Sequence, residues 1–482
     1  MEAKKESDMG VARSLGGVVL TAVLVAGCSG GNGGSQAQDK NGTPQSGHKA
    51  KPLVELKVPS AYDPAKGWDA TLNWVPGVVR TIPVTAAPRS GVIAMMHAAS
   101  NGYTVEARAA DTGEVRWISG PWNPPTPIKG AEGDAESGQA GEIPDVMAVE
   151  QDGREYVLAY AHGMRGKDSL HEGAEVVRLA VYAADASGTS VKPLREIDVP
   201  VSAEPGEVRV GLTGGRILVA WGDSDAFPRS AAAVDAATGK VDAYEKPNGM
   251  LSQCATTVAC ASSRVLAATA DGPLVGMSTG GFGIPDRWFS DAVRPSDIEA
   301  KTGIVGSWNG DVYGVAGGHV LAGWSTGGTF GAPNAPLWSV HDVGTGHLQA
   351  SMTCAHEVPG SNKARDYPVI TSPDRRYLAA GPVVFDLKLG KGFCLEGDGD
   401  RKTIALASIR DDGTAYGAVQ DKSAADGAEA VVAELNLTTS TGDPKVLGVG
   451  VDVPYLTSVN GSGLFLNRDD DMSVRVSLRR ER

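Results

Sequence analysis

The chain has 482 residues with 63 Gly and 28 Pro, so about a fifth of it forms turns. That share excludes a helical bundle or coiled coil and favours many short strands joined by tight turns. A 41% hydrophobic content fills a large core. The net charge of −13, with no basic block, leaves no electrostatic footprint for DNA or RNA.

Residues 16–27 are one apolar run, too short for a membrane-spanning helix of roughly 20 residues. The run follows Arg13 and ends in Val25-Ala26-Gly27-Cys28. Small residues before a Cys, after an apolar stretch, read as a cleaved secretory signal over residues 1–27. This pattern resembles the bacterial lipobox, in which the Cys becomes the lipidated first residue. The resemblance implies a lipoprotein held by fatty chains on Cys28 at the outer face of a cell membrane. Residues 28–50 are rich in Gly, Ser, Gln and Asn, without apolar periodicity. They read as a flexible tether with a reach of roughly 25 Å. Residues 51–482 remain for one folded domain.

Besides Cys28 there are Cys254, Cys260, Cys354 and Cys394. An even number fits an exported chain in which disulfides persist. Of the three possible pairings, Cys254–Cys260 with Cys354–Cys394 is favoured. The C-x5-C spacing and the lack of a nearby His pair argue against zinc.

A repeat of about fifty residues organises the domain. Asp followed by a Gly-containing turn recurs at Asp111-Thr112-Gly113, Asp235 to Gly239, Asp342 to Gly346 and Asp386 to Gly390, with weaker copies at Asp185, Asp291 and Glu434. Each turn sits between strand-like runs. A second marker precedes it: residues 215–221, 318–324 and 376–381 look like one inner strand of the repeat. Ser372-Pro373-Asp374-Arg375-Arg376-Tyr377-Leu378 resembles the SPDGRYLA pattern of WD40-like and TolB-like propellers. Asp111-Thr112-Gly113-Glu114-Val115-Arg116-Trp117 resembles the repeat of pyrroloquinoline-quinone-type propellers, shortened by one residue. Together these features predict an all-β fold, a single β-propeller. Units at 82–118, 143–199, 206–246, 254–294, 303–351, 366–397 and 402–447 and a partial one at 452–480 give eight blades, with seven as the alternative. The N-terminal run Leu53 to Val58 is expected to complete the last blade and close the ring. Two stacked β-sandwiches are the competing architecture.

Long connections between second and third strands are expected at 161–174, 222–228, 278–288 and 325–338. The last two share Ser-Thr-Gly-Gly, Phe-Gly, Pro and Trp. Loops on a rigid scaffold carry function, and aromatic residues anchor interfaces. Trp221, Asp223, Asp225, Phe227, Phe282, Asp286, Trp288, Trp324, Phe330 and Trp338 are therefore the candidate recognition surface, weighed against plain packing within the loops. Gly276 to Gly280 and Gly323 to Gly327 both match G-x-S-x-G. The repeat-phased duplication, and a Gly-rich continuation instead of a helix, argue against a hydrolase nucleophile. The insert 120–143 reads as a mobile loop rather than a site. Binding or scaffolding of a protein, peptide or cell-envelope ligand is favoured over catalysis. The alternative that the repeat resemblance implies is a quinone-cofactor dehydrogenase with Ca²⁺. Such enzymes seat the cofactor against a vicinal Cys pair, and this chain has none.

Overall fold

The structure is a computed structural model. It describes residues 53–79, 81–133, 141–203, 207–222, 230–244, 263–277, 280–298, 310–324, 336–357, 366–398, 400–420, 430–439, 444–469 and 473–482.

Two kinds of apolar pattern build the strands. Runs such as His319–Trp324 and Tyr377–Ala380 are buried nearly throughout. Strands such as Gly102–Ala109 alternate buried and half-buried positions. The first kind suits a strand covered on both faces; the second suits one nearer the rim. Most sheets place a continuously buried run second from the inner edge, as in the order 311–316, 319–324, 337–342, 348–353. The marker segments at 215–221, 318–324 and 376–381 are these second strands.

Eight antiparallel sheets follow in chain order. The first blade comprises Val84–Ala87, Val92–Ala99, Gly102–Ala109 and Val115–Ser119. The second comprises Asp145–Gln151, Arg154–Arg165, Ala174–Ala183 and Arg195–Pro200. Between its third and outer strands the second blade sends Gly188–Val191 to the rim of the first, where it pairs in parallel with Val115–Ser119. The third to seventh blades span 209–244, 263–289, 311–353, 369–394 and 403–448. The eighth combines Ser462–Arg468 and Val474–Glu481 with the N-terminal Tyr62–Leu72. A bridge from Leu456 to Leu464 marks its inner edge. The chain is thus an eight-bladed β-propeller, closed by pairing of its N- and C-terminal strands.

Each junction between neighbouring blades has its own apolar cluster. Trp117, Val157 and Tyr182 fill the first, and Phe282, Val320 and Trp324 the fourth. Tyr62, Phe465 and Tyr416 join the eighth blade to the seventh, and Trp68, Leu464 and Ile93 join it to the first. One blade cannot bury both of its faces; a closed circle buries all of them.

The Asp turns connect third and outer strands. Asp235 Oδ1 accepts the Thr238 amide at 2.7 Å, and Asp342 Oδ1 accepts the Thr345 amide at 2.8 Å. These turns also join blades. Trp68, Trp117 and Trp288, all on outer strands, each donate the indole N–H to a turn carbonyl of the next blade: Ala110, Ala184 and Gly344, each at 3.0 Å. At Gly346 (φ +72°) a Cβ would lie 2.5 Å from the Trp288 ring, so only glycine admits the latch.

Three expectations are corrected. The closing strand is Tyr62–Leu72, not residues 53–58. Those residues lie along the seam without a strand of their own, exchanging bonds with Asp69, Asp452 and Arg479. Asp291 lies in the helix Ser290–Val293; the fourth blade's equivalent turn holds Asp286 instead. Residues 282–289 are no loop, because Phe282–Ile284 and Trp288–Phe289 are that blade's third and outer strands. Three- and two-residue strands are too short to show a period in the sequence.

Candidate ligand-binding site

The aromatic residues expected at the surface are mostly core. Phe282, Trp324 and Trp338 are fully buried and Trp288 is 8% exposed. Phe282 packs edge-on against Trp288 at 5.8 Å between ring centroids. Trp324 Nε1 donates to Ser339 Oγ at 2.6 Å, and that hydroxyl also meets His341 Nε2 at 2.8 Å. Burial pushes the His341 imidazole down to about 4, so it stays neutral there. Trp338 packs between Tyr313 and His356. Trp221 is half-buried against the junction of the second and third blades. Asp286 is exposed at φ +62° in its turn. Asp223, Asp225, Phe227 and Phe330 lie outside the described residues, as do Cys28, Cys254, Cys260, Ser278 and Ser325. Four of the ten candidates are therefore packing groups; their apolar area is used between blades. Cys354 and Cys394 are joined, with sulfurs 2.08 Å apart, linking the fifth and sixth blades.

A different group of residues surrounds a cavity of about 660 Å³ at the second blade. It lies on the face of the blade-to-blade crossovers, opposite the Asp turns. The first crossover contributes Pro124, Pro125, Pro127, Ala131 and Glu142. The second blade contributes Asp145, Tyr160, Ala161 and His162, the third blade Arg209 and Val210, and the first blade Tyr103. The insert 120–143, expected to be only a loop, thus supplies a wall. It is fixed by paired backbone bonds between Thr126 and Met164, at 2.7 and 3.0 Å. A Cβ on Gly163 would stand 2.4 Å from the Thr126 carbonyl oxygen, so this close approach requires glycine. Tyr103 is held edge-on against Trp74, 5.2 Å between centroids.

Pairing register assembles the polar groups. Asp145 and Tyr160 are direct cross-strand partners. Tyr160 Oη donates to Asp145 Oδ2 at 2.9 Å, and the Val146 amide donates to Oδ1 at 2.7 Å. Asp145 is 8% exposed. Burial pushes its carboxyl up to about 6, against the opposing effect of those two hydrogen bonds. Burial, then the neighbouring Asp145, pushes the Tyr160 phenol up as well.

His162 points to the same face as Tyr160, two residues along the strand. Its Nε2 meets Glu175 Oε1 at 2.9 Å and its Nδ1 meets Glu142 Oε2 at 3.2 Å. Burial lowers the His162 pKa, but the two carboxylates outweigh it and the net shift is upward. Both ring nitrogens donate only when the ring is protonated. The imidazolium therefore ties the crossover, through Glu142, to the third strand, through Glu175.

A second cavity, of about 770 Å³, opens on the opposite face beside Arg89, Arg154, Glu155 and Arg195. Several of its polar groups are already engaged: the Arg89 and Ser90 amides donate to Glu155, and Arg195 donates to the Ala237 carbonyl. Among the described residues no group of three or more His, Cys, Asp or Glu side chains is placed to hold a metal ion.

No protein-family model matches the sequence, and a search of curated proteins finds no match. Solved structures resemble it loosely. An uncharacterized protein of Listeria monocytogenes is 9% identical, with a TM-score of 0.36, over 86% of this chain and 92% of that one. The Dos1 propeller is 10% identical, with a TM-score of 0.38, over 86% and 95%. The WD40 domain of Toxoplasma gondii coronin is 8% identical, with a TM-score of 0.32, over 89% of each chain.

Proposed function

We propose that the protein is an extracytoplasmic binding module, held at a membrane by lipid on Cys28 and a tether over residues 28–50. Its ligand occupies the cavity on the crossover face between the first, second and third blades. The observation that carries this reading is the cavity itself. Its volume and its walls of Pro and Tyr with a few convergent polar groups are those of a small-ligand site. A propeller suits the role, since its rigid blades hold the wall groups in place while its loops vary. The lipobox-like Val25-Ala26-Gly27-Cys28 supports the anchor, and the Cys354–Cys394 bond is consistent with an oxidising compartment.

Two experiments test the reading. Expression with an alkyne-tagged fatty acid should label the wild-type chain and leave Cys28→Ser unlabelled; equal labelling would remove the anchor. Ligand-observed NMR with a library of small fragments should give binders that Thr81→Trp, an exposed rim substitution, displaces. A library without binders, or binders indifferent to Thr81→Trp, would remove the site.

A further inference from the structure

We infer that the crossover-face cavity recognises a protonated organic amine, with Asp145 as the counter-charge and the Tyr and Pro walls around the amine's apolar body. The inference rests on the cavity being a ligand site, as proposed above, and names the chemistry that site selects.

The starting point is a mismatch of charge. A buried carboxylate ordinarily has a cation beside it, because desolvation without compensation is costly. The fully buried Asp386 and the half-buried Asp69 and Asp198 each have an arginine partner here. Asp145 has none: its partners are a phenol and its neighbour's backbone amide. Two donors leave an ionised carboxylate about half of its lone-pair sites open. The side chain lines the cavity, so the open sites are within reach of what occupies it.

The remaining charged groups favour the same sign. His162 is shared by Glu142 and Glu175, so that trio carries one net negative charge when the ring is protonated and two when it is not. Arg209 is the cavity's other cation; the residue lies at the surface, and partial burial lowers the pKa of its guanidinium. Tyr160 faces Asp145 from the paired strand; Tyr455, beside the inner edge of the eighth blade, has its phenol raised by burial and then by the Asp145 charge. No positive group acts on Asp145 from any of these elements. An anionic ligand would meet net negative charge, and a neutral one would leave Asp145 uncompensated. A cation relieves the mismatch.

The walls specify the rest of the ligand. Tyr103 and Tyr160 line the cavity, and aromatic rings attract organic cations more strongly where water is excluded. Pro124, Pro125 and Pro127 are rigid and apolar. The cavity therefore suits an ammonium group on a hydrocarbon body better than an inorganic cation, which would need several oxygen ligands. Protonation of Asp145 competes with the amine, so affinity is full well above pH 6. It falls about tenfold per unit below that value.

The test is calorimetric titration of the detergent-solubilised full-length chain with three probes of one shape: 2-phenylethylammonium, 2-phenylethanol and 3-phenylpropionate. The ammonium should bind at least tenfold tighter than the alcohol at pH 7.5 and weaken below pH 6. Asp145→Asn should reduce its affinity about ten- to a hundredfold, remove the pH dependence and bring the ammonium-to-alcohol affinity ratio down towards one. Equal binding of ammonium and alcohol, both lost in Thr81→Trp, would overturn the amine and retain the cavity as a site. Tightest binding of the carboxylate would overturn the charge argument outright. Failure of all three probes at millimolar concentration would overturn both readings. Should Asp145→Asn not fold, the ammonium-to-alcohol ratio in the wild type decides alone.

Discussion

The seam of the ring contains one ion pair whose removal has a calculable cost. The Arg479 side chain is completely buried on the last strand. Its Nη1 donates to Asp69 Oδ1 at 2.8 Å and to the Leu478 carbonyl at 2.9 Å, and its Nη2 to the Val54 carbonyl at 2.8 Å. Asp69, on the N-terminal strand, also accepts the Val54 amide at 2.7 Å. Asp69→Ala removes the counter-charge and leaves a buried guanidinium facing carbonyls alone. Breaking a buried pair on one side costs about 3–5 kcal/mol, and the remaining carbonyls put this case near the lower bound, about 3 kcal/mol. Asp69→Ala with Arg479→Met removes both charges and should recover most of that loss. Urea unfolding followed by tryptophan fluorescence gives the cycle directly. Burial raises the Asp69 pKa, but hydrogen bonds from Arg479, Ser477 and Val54 and the Arg479 charge bring it below the usual value. The pair's contribution is therefore complete above pH 4 and declines as pH falls through the lowered value. A single substitution costing under about 1 kcal/mol, or a double variant no better than the sum of the singles, would refute the reasoning.

Other outcomes follow from particular contacts. Trp324→Ala should destabilise by about 3–5 kcal/mol, since it empties a fully buried site between the fourth and fifth blades; a change under 1 kcal/mol by denaturation would contradict its placement. Replacing Cys354 and Cys394 by Ser opens a 40-residue separation and should cost up to about 4 kcal/mol on chain-entropy grounds, read as a lower urea midpoint. The raised His162 pKa means that its tie between Glu142 and Glu175 is complete below pH 6.5 and weakens as pH rises through the folded value. Hydrogen exchange at the Thr126 and Glu142 amides, corrected for intrinsic rate, should accelerate across that range. His162→Gln should abolish the dependence, and a flat profile in the wild type would remove the tie.

What the sequence revealed was local. Asp235 and Asp342 mark turns because a carboxylate bonds amides three residues on, and such chemistry is visible in any short window. Fully apolar second strands were legible for the same reason. The closing strand was missed because residues 62–72 carry Asp63, Pro64, Lys66, Gly67 and Asp69, a polar pattern. Their pairing is set by residues more than 400 positions away. Trp288 looked like a surface anchor because nothing near it shows that its indole caps a turn of the next blade. The cavity was hidden differently. Asp145 and Tyr160 meet through strand register, and Glu142 reaches His162 from a crossover; no spacing rule joins them. The one available signal was Tyr160 and His162 at alternate positions of an otherwise apolar run.

Closure by the two chain ends also orders events in time. The four-stranded cores of seven sheets form from consecutive antiparallel strands, and each can assemble as its residues emerge. The eighth must wait, because Tyr62–Leu72 is made before the other blades and its partner Val474–Glu481 after them. Until then one face of the first blade and one of the seventh stay wet, and the early strand has an unsatisfied edge. A chain ended a dozen residues short would have nearly every blade and no clasp, leaving it open to chaperones and proteases.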